Sequence, residues 1–154
     1  MAEVETRGVD ALLAIARERI ERVEPEEAWA AAATGAALIV DLRSSDERRR
    51  HGIVPGSLHV PRSVLEWRAD PASEWRSPHL EGRERLLLLC AEGFSSNLAA
   101  ASLVDLGHAR AGDIVGGFVA WLDAGLPVAA ATESDGSLPG MGAPAPRSDI
   151  SLTD

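Results

Sequence analysis

One stretch decides the fold, because it joins an apolar strand to a helix through a short loop that contains glycine: Leu86-Leu87-Leu88-Leu89-Cys90-Ala91-Glu92-Gly93-Phe94-Ser95-Ser96-Asn97-Leu98-Ala99-Ala100-Ala101. The four leucines form a run of strand length. Cys90, the only cysteine of the chain, stands where this strand ends. Loop amides and the positive end of a helix dipole would favour its thiolate form, which is the nucleophilic form. Cys90 is therefore a candidate nucleophile, with a buried core cysteine as the alternative interpretation.

Apolar runs and helix signals alternate on both sides of this stretch. The pattern predicts strands at 20–23, 38–42, 58–60, 86–89 and 114–115, and helices at 9–19, 26–34, 45–50, 63–68, 96–106 and 118–124. Such alternation indicates an α/β fold with a mainly parallel sheet. From about residue 132 the chain is rich in Gly, Pro, Ser and Asp, which is typical of disorder. We therefore expect a helical extension at 1–19, a domain at 20–130 and a disordered tail at 131–154.

Composition narrows the possible functions. The chain has 154 residues, a net charge of −9, one cysteine and four histidines without metal-ligand spacing. The acidic balance argues against nucleic acid or an anionic membrane as a partner. All 15 basic residues are arginine, which excludes lysine chemistry. No apolar run is long enough to span a membrane and no secretory signal opens the chain, so we expect a cytoplasmic protein without a metal site.

Four segments resemble the signatures of the rhodanese-like domain family, in the family's order. Residues 37–43 resemble its strand ending in Asp-x-Arg, and 52–57 resemble its Gly-His-Ile-Pro-Gly-Ala turn, with Ile53 in place of histidine. Residues 90–96 are similar to its active-site loop Cys-x-x-Gly-x-x-Ser. Residues 116–128 are similar to its closing Gly-Gly-x-x-Ala-Trp-x-x-x-Gly-x-Pro-Val.

The resemblance implies a central, mostly parallel five-stranded sheet with helices on both faces. It also implies a sulfurtransferase that needs no metal or organic cofactor. In that cycle Cys90 takes a sulfane sulfur from thiosulfate or a persulfide and passes it, as a persulfide, to a thiol acceptor. Because the chain has one cysteine, no second thiol can resolve that persulfide internally. The implied partners are a small-molecule sulfur donor and a thiol acceptor, either a small molecule or a protein.

The loop residues suggest individual roles. Gly93 allows positive φ, so that backbone N–H groups can turn inward around an exposed sulfur. Ser95 and Ser96 offer either hydroxyl donors to the site or a helix cap. Phe94 either shields the sulfur or packs against a neighbouring lobe. The resemblance implies a cation just after the cysteine and five positions on in members that use thiosulfate well, but Ala91 and Ser95 stand there.

Glu92 adds a negative charge to this cation-free loop, which puts efficient thiosulfate turnover in doubt. We expect compensation from Arg68, or second from Arg62, in the segment that lines the family's active-site mouth; a solvated surface arginine is the alternative. Asp41 and Arg43 are interpreted as a structural ion pair rather than as chemical groups.

Two other functions compete with sulfur transfer. A phosphatase of the same fold uses Cys-x5-Arg to clamp the transferred group; Ser96 occupies that arginine position, which argues against it, and an arsenate reductase of the same fold shares the need for oxyanion binding. A non-catalytic interaction module is favoured by the acidic loop.

Overall fold

Helices and strands alternate along residues 7–131, which are the residues that this computed structural model describes. The elements are, in chain order, α1 (Val9–Glu18), β1 (Glu21–Val23), α2 (Pro25–Ala33), β2 (Leu38–Asp41), α3 (Ser45–His51), β3 (Leu58–His59), a 3-10 turn (Arg62–Val64), α4 (Leu65–Ala69), a second 3-10 turn (Pro78–Leu80), β4 (Leu86–Leu89), α5 (Ser95–Asp105), β5 (Ala111–Ile114) and α6 (Gly117–Asp123). The α/β class predicted from the sequence is confirmed.

The five strands form one sheet in the order β1-β5-β4-β2-β3, and each of these neighbours pairs in parallel. Parallel sheets are covered on both faces, so their central strands are apolar throughout. Strand β4 lies at the centre, and all four of its leucines are at most 1% exposed. A fully buried leucine side chain stabilises the fold by about 1.5–3 kcal/mol relative to an exposed one.

Two hydrophobic clusters cover the two faces of the sheet. On one face α4 and α5 pack over the sheet through Leu65, Ala99 and Leu103. On the other, α2 and α6 pack through Ala28, Phe118 and Trp121. Trp29 meets Trp121 edge to face, with ring centroids 5.8 Å apart. Helices therefore flank both faces, as the resemblance implies.

The helix at the start of the described chain is part of this packing. Helix α1 lies against α5. Arg17 donates a 2.8 Å hydrogen bond to the side chain of Asn97, and Arg19 pairs with Asp105. Residues 1–6 and 132–154, which include nearly all of the predicted tail, lie outside the described residues.

Strand β5 begins earlier than the sequence predicts, at Ala111. The predicted strand did not include Gly112 and Asp113, because their intrinsic propensity disfavours strand structure. Gly112 is required by packing: a β-carbon there would stand 2.2 Å from the carbonyl oxygen of Glu21 on the neighbouring strand. Tertiary packing overrides local propensity at this position.

The starts of α3 and α5 are capped differently. Helix α3 is capped by Ser44, whose hydroxyl accepts the N–H of Glu47 while the Glu47 carboxylate accepts the N–H of Ser44. Helix α5 follows Phe94 and has no side-chain cap. The interpretation of Ser95 or Ser96 as its cap is therefore wrong. None of the helices within residues 7–131 is both long and apolar enough to cross a bilayer.

Candidate active site

Cys90 lies directly after β4, at the carboxyl edge of the sheet. Open parallel sheets bind their ligands at this edge. The first turn of α6 supports the loop from below, because Phe118 N–H donates to the carbonyl of Cys90 at 2.8 Å and Val119 N–H to that of Ala91 at 3.1 Å. The loop is therefore fixed by backbone hydrogen bonds from a neighbouring helix.

Gly93 turns the loop back toward the sulfur. Its φ is +86°, and its N–H donates to Cys90 Sγ at 3.1 Å. A β-carbon at Gly93 would lie 2.6 Å from the backbone nitrogen of Gly116. Glycine is therefore required both by conformation and by the close approach of α6.

The sulfur has two polar neighbours. Cys90 Sγ accepts from Gly93 N–H and donates to Ser96 Oγ at 3.2 Å. The residue is only 6% exposed, so the expectation of an exposed sulfur is wrong. The expectation that a backbone donor of the loop reaches the sulfur is met by Gly93.

Behind Ser96 lies a buried carboxylate that the sequence analysis missed. Ser96 Oγ donates to Asp113 Oδ2 at 2.7 Å, and Asn97 Nδ2 donates to the same oxygen at 2.6 Å. Arg22 Nε donates to Asp113 Oδ1 at 2.9 Å. Asp113, Ser96 and Asn97 are fully buried. A chain of hydrogen bonds thus leads from the sulfur to an ion pair between β5 and β1.

Arg22 is the cation that the structure brings to the loop. Besides Asp113, its guanidinium donates to the Gly93 carbonyl at 3.3 Å. Asn97 Nδ2 donates to the same carbonyl at 3.3 Å, and its Oδ1 accepts from Arg17. Asn97, an amide in the first turn of an Ala/Leu-rich helix, was the one signal in the sequence for this network, because Asp113 lies outside the predicted strand at 114–115.

The arginines expected near Cys90 make other contacts. Arg62 donates to both carboxylate oxygens of Glu66, at 2.8 and 3.0 Å. Arg68 is 2% exposed, donates to the carbonyl of Trp75 at 3.1 Å and lines a cavity of about 140 Å³ beside Ser77. Burial lowers the pKa of the Arg68 guanidinium. That either arginine serves the Cys90 loop stays a prediction.

Asp41 and Arg43 lie at the end of the neighbouring strand and form a bidentate ion pair, with Nε–Oδ1 and Nη2–Oδ2 distances of 3.1 and 2.8 Å. Arg48 Nε donates a further side-chain hydrogen bond to Asp41 Oδ2, at 3.1 Å. The Arg43 guanidinium also stacks over the Phe118 ring, 3.8 Å from its centroid. This cluster ties β2 to α3 and α6, which is a structural contribution.

The remaining loop residues form the rim. Glu92, Phe94 and Ser95 are exposed, Phe94 by 53%, whereas Ala91 is half-buried. Phe94 therefore presents an aromatic surface to solvent from the cysteine loop. Within residues 7–131, no three His, Cys, Asp or Glu side chains are arranged to hold a metal ion.

Comparisons with known proteins agree with this geometry. The sequence model of the rhodanese-like domain matches residues 24–124. The thiosulfate sulfurtransferase GlpE of Actinobacillus succinogenes is 28% identical over 106 residues, which span 69% of this chain and 87% of that protein.

Solved structures of similar fold extend the comparison. A protein of unknown function from Rhodopseudomonas palustris, described as a possible tyrosine phosphatase, shares 37% identity with a TM-score of 0.75, over 83% of this chain and 98% of that one. A human single-domain sulfurtransferase shares the fold with a TM-score of 0.54 and 24% identity, over 68% of this chain and 96% of that one.

Proposed function

The chain belongs to the rhodanese-like domain family, and from that premise we propose that it is a sulfurtransferase whose sulfur carrier is Cys90. It moves a sulfane sulfur from thiosulfate or a persulfide donor to a thiol acceptor. The observation that carries the proposal is the 3.1 Å hydrogen bond from Gly93 N–H to Cys90 Sγ in a loop at the carboxyl edge of the sheet. The name of the Actinobacillus relative, a thiosulfate sulfurtransferase, supports the same reaction class.

The reaction has two displacement steps. The Cys90 thiolate attacks the outer sulfur of the donor, a new S–S bond forms, and the donor's own bond to that sulfur breaks to release sulfite or a thiolate. An acceptor thiolate then attacks the outer sulfur of the Cys90 persulfide and leaves with it, which restores the Cys90 thiolate. Gly93 N–H is a fixed dipole that stabilises negative charge on the sulfur without reorganisation.

Charge on the loop favours persulfide donors over thiosulfate. Glu92 is exposed on the rim, and Ala91 and Ser95 carry no charge. A dianionic donor that approaches this rim is repelled by Glu92. Phe94, exposed in the same loop, offers an apolar surface to the acceptor.

We do not extend the phosphatase description of the Rhodopseudomonas neighbour to this chain. Phosphatases of this fold need an arginine six positions after the cysteine, and Ser96 stands there. Ser96 is also hydrogen-bonded to the buried carboxylate of Asp113, which would repel a phosphoryl group.

The test is transfer of one sulfur atom to the protein. We expect incubation with thiosulfate, mercaptopyruvate or glutathione persulfide to add about 32 Da to Cys90, and a thiol to remove it. Cys90→Ser is the control, because the chain has one cysteine. If no donor loads the intact protein, the transferase proposal is wrong and the interaction module is the better description.

A further inference from the structure

We propose that Asp113 is a positioning residue, which acts through Ser96 to hold the resting Cys90 as a thiol. The inference rests on the proposed function only in taking Cys90 as the sulfur carrier. Asp113 does not touch the sulfur; it determines which way the hydroxyl of Ser96 points.

Both carboxylate oxygens of Asp113 accept hydrogen bonds. Its carboxylate accepts hydrogen bonds from Ser96, Asn97 and Arg22, one of them from a guanidinium. A carboxylate surrounded by donors and paired with a cation is stabilised as the anion, even when it is buried. In this arrangement Ser96 is a donor to the carboxylate.

The Ser96 hydroxyl lies between the Asp113 carboxylate and the Cys90 sulfur. Ser96 Oγ lies 2.7 Å from Asp113 Oδ2 and 3.2 Å from Cys90 Sγ. A hydroxyl has one proton and two lone pairs. Because the anion accepts more strongly than the sulfur, the proton points at Asp113, and a lone pair faces the sulfur.

The thiol and the thiolate forms of Cys90 respond differently to the Ser96 lone pair. A lone pair facing Sγ accepts the S–H proton of a thiol, but it repels a thiolate. Gly93 N–H acts in the opposite sense, since it stabilises the anion. Gly93 N–H thus favours the thiolate, whereas the lone pair of Ser96 favours the thiol. The direction of the Ser96 proton determines which form of Cys90 is stabilised.

Several charged side chains surround this group of hydrogen bonds. On the side of α5 and the sheet, Asp113 is balanced by Arg22 from β1, and Arg17 from α1 reaches Asn97. Glu92 on the rim adds a negative charge of its own. The first turn of α6, which packs below the loop, carries no acidic side chain.

The arrangement is reversible. If Sγ becomes anionic, as in the thiolate left when an acceptor removes the outer sulfur, Ser96 can rotate its proton toward it, while Asp113 keeps its bonds from Asn97 and Arg22. One hydroxyl therefore serves the thiol by accepting and the thiolate by donating. The strength of the Ser96–Asp113 hydrogen bond determines the free energy needed to rotate the hydroxyl toward the sulfur.

The experiment measures the rate at which iodoacetamide alkylates Cys90 as a function of pH. The reagent is neutral, and the chain has no other thiol. In Asp113→Asn the negative charge is lost and Ser96 can donate to the sulfur. We expect the midpoint of the alkylation profile to move down by about one pH unit, so that alkylation well below the midpoint is about tenfold faster.

Two further variants test the route through Ser96. Ser96→Ala should also lower the midpoint, and Asp113→Asn should add less than half of its effect in that background. Ser96→Thr keeps the hydroxyl and should retain the profile of the original protein, which provides a test even if Asp113→Asn does not fold. Asp105→Asn is the matched control, since it removes a carboxylate at the exposed far end of α5.

Several results would overturn the proposal. An unchanged midpoint, or one that moves up, in Asp113→Asn would show that Asp113 does not withhold the serine proton. An equal shift with and without Ser96 would show a direct charge effect instead. Alkylation needs no sulfur donor, so failure here is separable from failure of sulfur loading.

Discussion

Gly117 lies directly under the cysteine loop: a β-carbon at this position would stand 2.4 Å from the carbonyl oxygen of Cys90. Its φ is +61°, which L side chains rarely adopt. The Gly116-Gly117 pair therefore supports the loop that follows Cys90. The first prediction follows from this contact.

Gly117→Ala should lower the free energy of unfolding by about 3 kcal/mol, because both the backbone conformation and the packing resist a side chain. It should also abolish loading of Cys90. Gly125→Ala is the control: its φ is +69°, but no atom lies within 4 Å of the added carbon. Urea unfolding of the two variants makes the comparison, and equal losses would refute the packing argument.

The buried Arg43–Asp41 pair gives the second prediction. Arg43→Lys loses the bidentate geometry and the planar stack on Phe118, so we expect a loss of about 2–3 kcal/mol in stability. Arg76→Lys, which alters the more exposed pair with Glu81, should cost less than about 1 kcal/mol. Thermal unfolding distinguishes the two, and a stable Arg43→Lys would mean that the cluster contributes little.

Glu92 gives the third prediction. Glu92→Gln should raise kcat/KM for thiosulfate about fivefold, corresponding to about 1 kcal/mol of removed repulsion, and should change turnover of a neutral donor little. The gain should shrink as salt is added. Glu84→Gln, which precedes β4 at the opposite edge of the sheet, is the control. Equal effects of both substitutions would indicate a general rather than a local charge effect.

Arg68 gives the fourth prediction. Because Arg68 is buried against the loop that contains Trp75 and Ser77, Arg68→Ala should lower stability by about 1–3 kcal/mol. The measurement is denaturant unfolding, combined with the salt dependence of thiosulfate transfer. A variant of normal stability with slower, less salt-dependent transfer would instead support the role of Arg68 as the cation of the donor site.

Glu21 gives a pH-dependent prediction. The hydrogen bond from Arg110 is the largest effect on the pKa of Glu21; burial opposes it, and the charges of Arg85 and Arg110 add to it, so the pKa lies below its usual value of 4.5. A lowered carboxyl pKa stabilises the folded state above the unfolded-state pKa, and this contribution is lost as pH falls through the folded-state pKa.

Glu21→Gln should therefore cost about 0.5 kcal/mol at neutral pH, the size expected of a screened pair at a partly exposed side chain. The cost should shrink as pH falls below 4.5 and vanish once Glu21 is protonated in the folded state as well. Urea unfolding over a series of pH values from neutral into acid measures it, with the exposed Glu26→Gln as control. A difference that persists in acid would rule out the ion pairs as its source.

Much of the fold follows from the sequence because local signals agree with the tertiary structure. The four leucines of β4 are apolar on both faces, as a central parallel strand requires. Pro25 followed by two glutamates marks the start of α2. Cys90 and Gly93 were identified by their position between a strand and a helix, and they lie together at the sheet edge.

The network behind the sulfur could not be found in this way. Arg22 and Asp113 are 91 residues apart in the chain, and they meet only because β1 pairs with β5. That strand order is set by packing, which no local pattern encodes. Asp113 also lies in a segment whose propensity disfavours a strand, so the carboxylate was not placed in the core.

The packed domain begins before the segment that matches the family model. Residue 24 opens the matched region, yet Arg17 and Arg22 precede it. A protein trimmed at that boundary would keep Cys90 but lose β1, the Arg22 guanidinium that pairs with Asp113, and the Arg17 guanidinium that donates to Asn97. The buried carboxylate of Asp113 would then lack its ion-pair partner, so an unstable or insoluble fragment would be a consequence of the truncation.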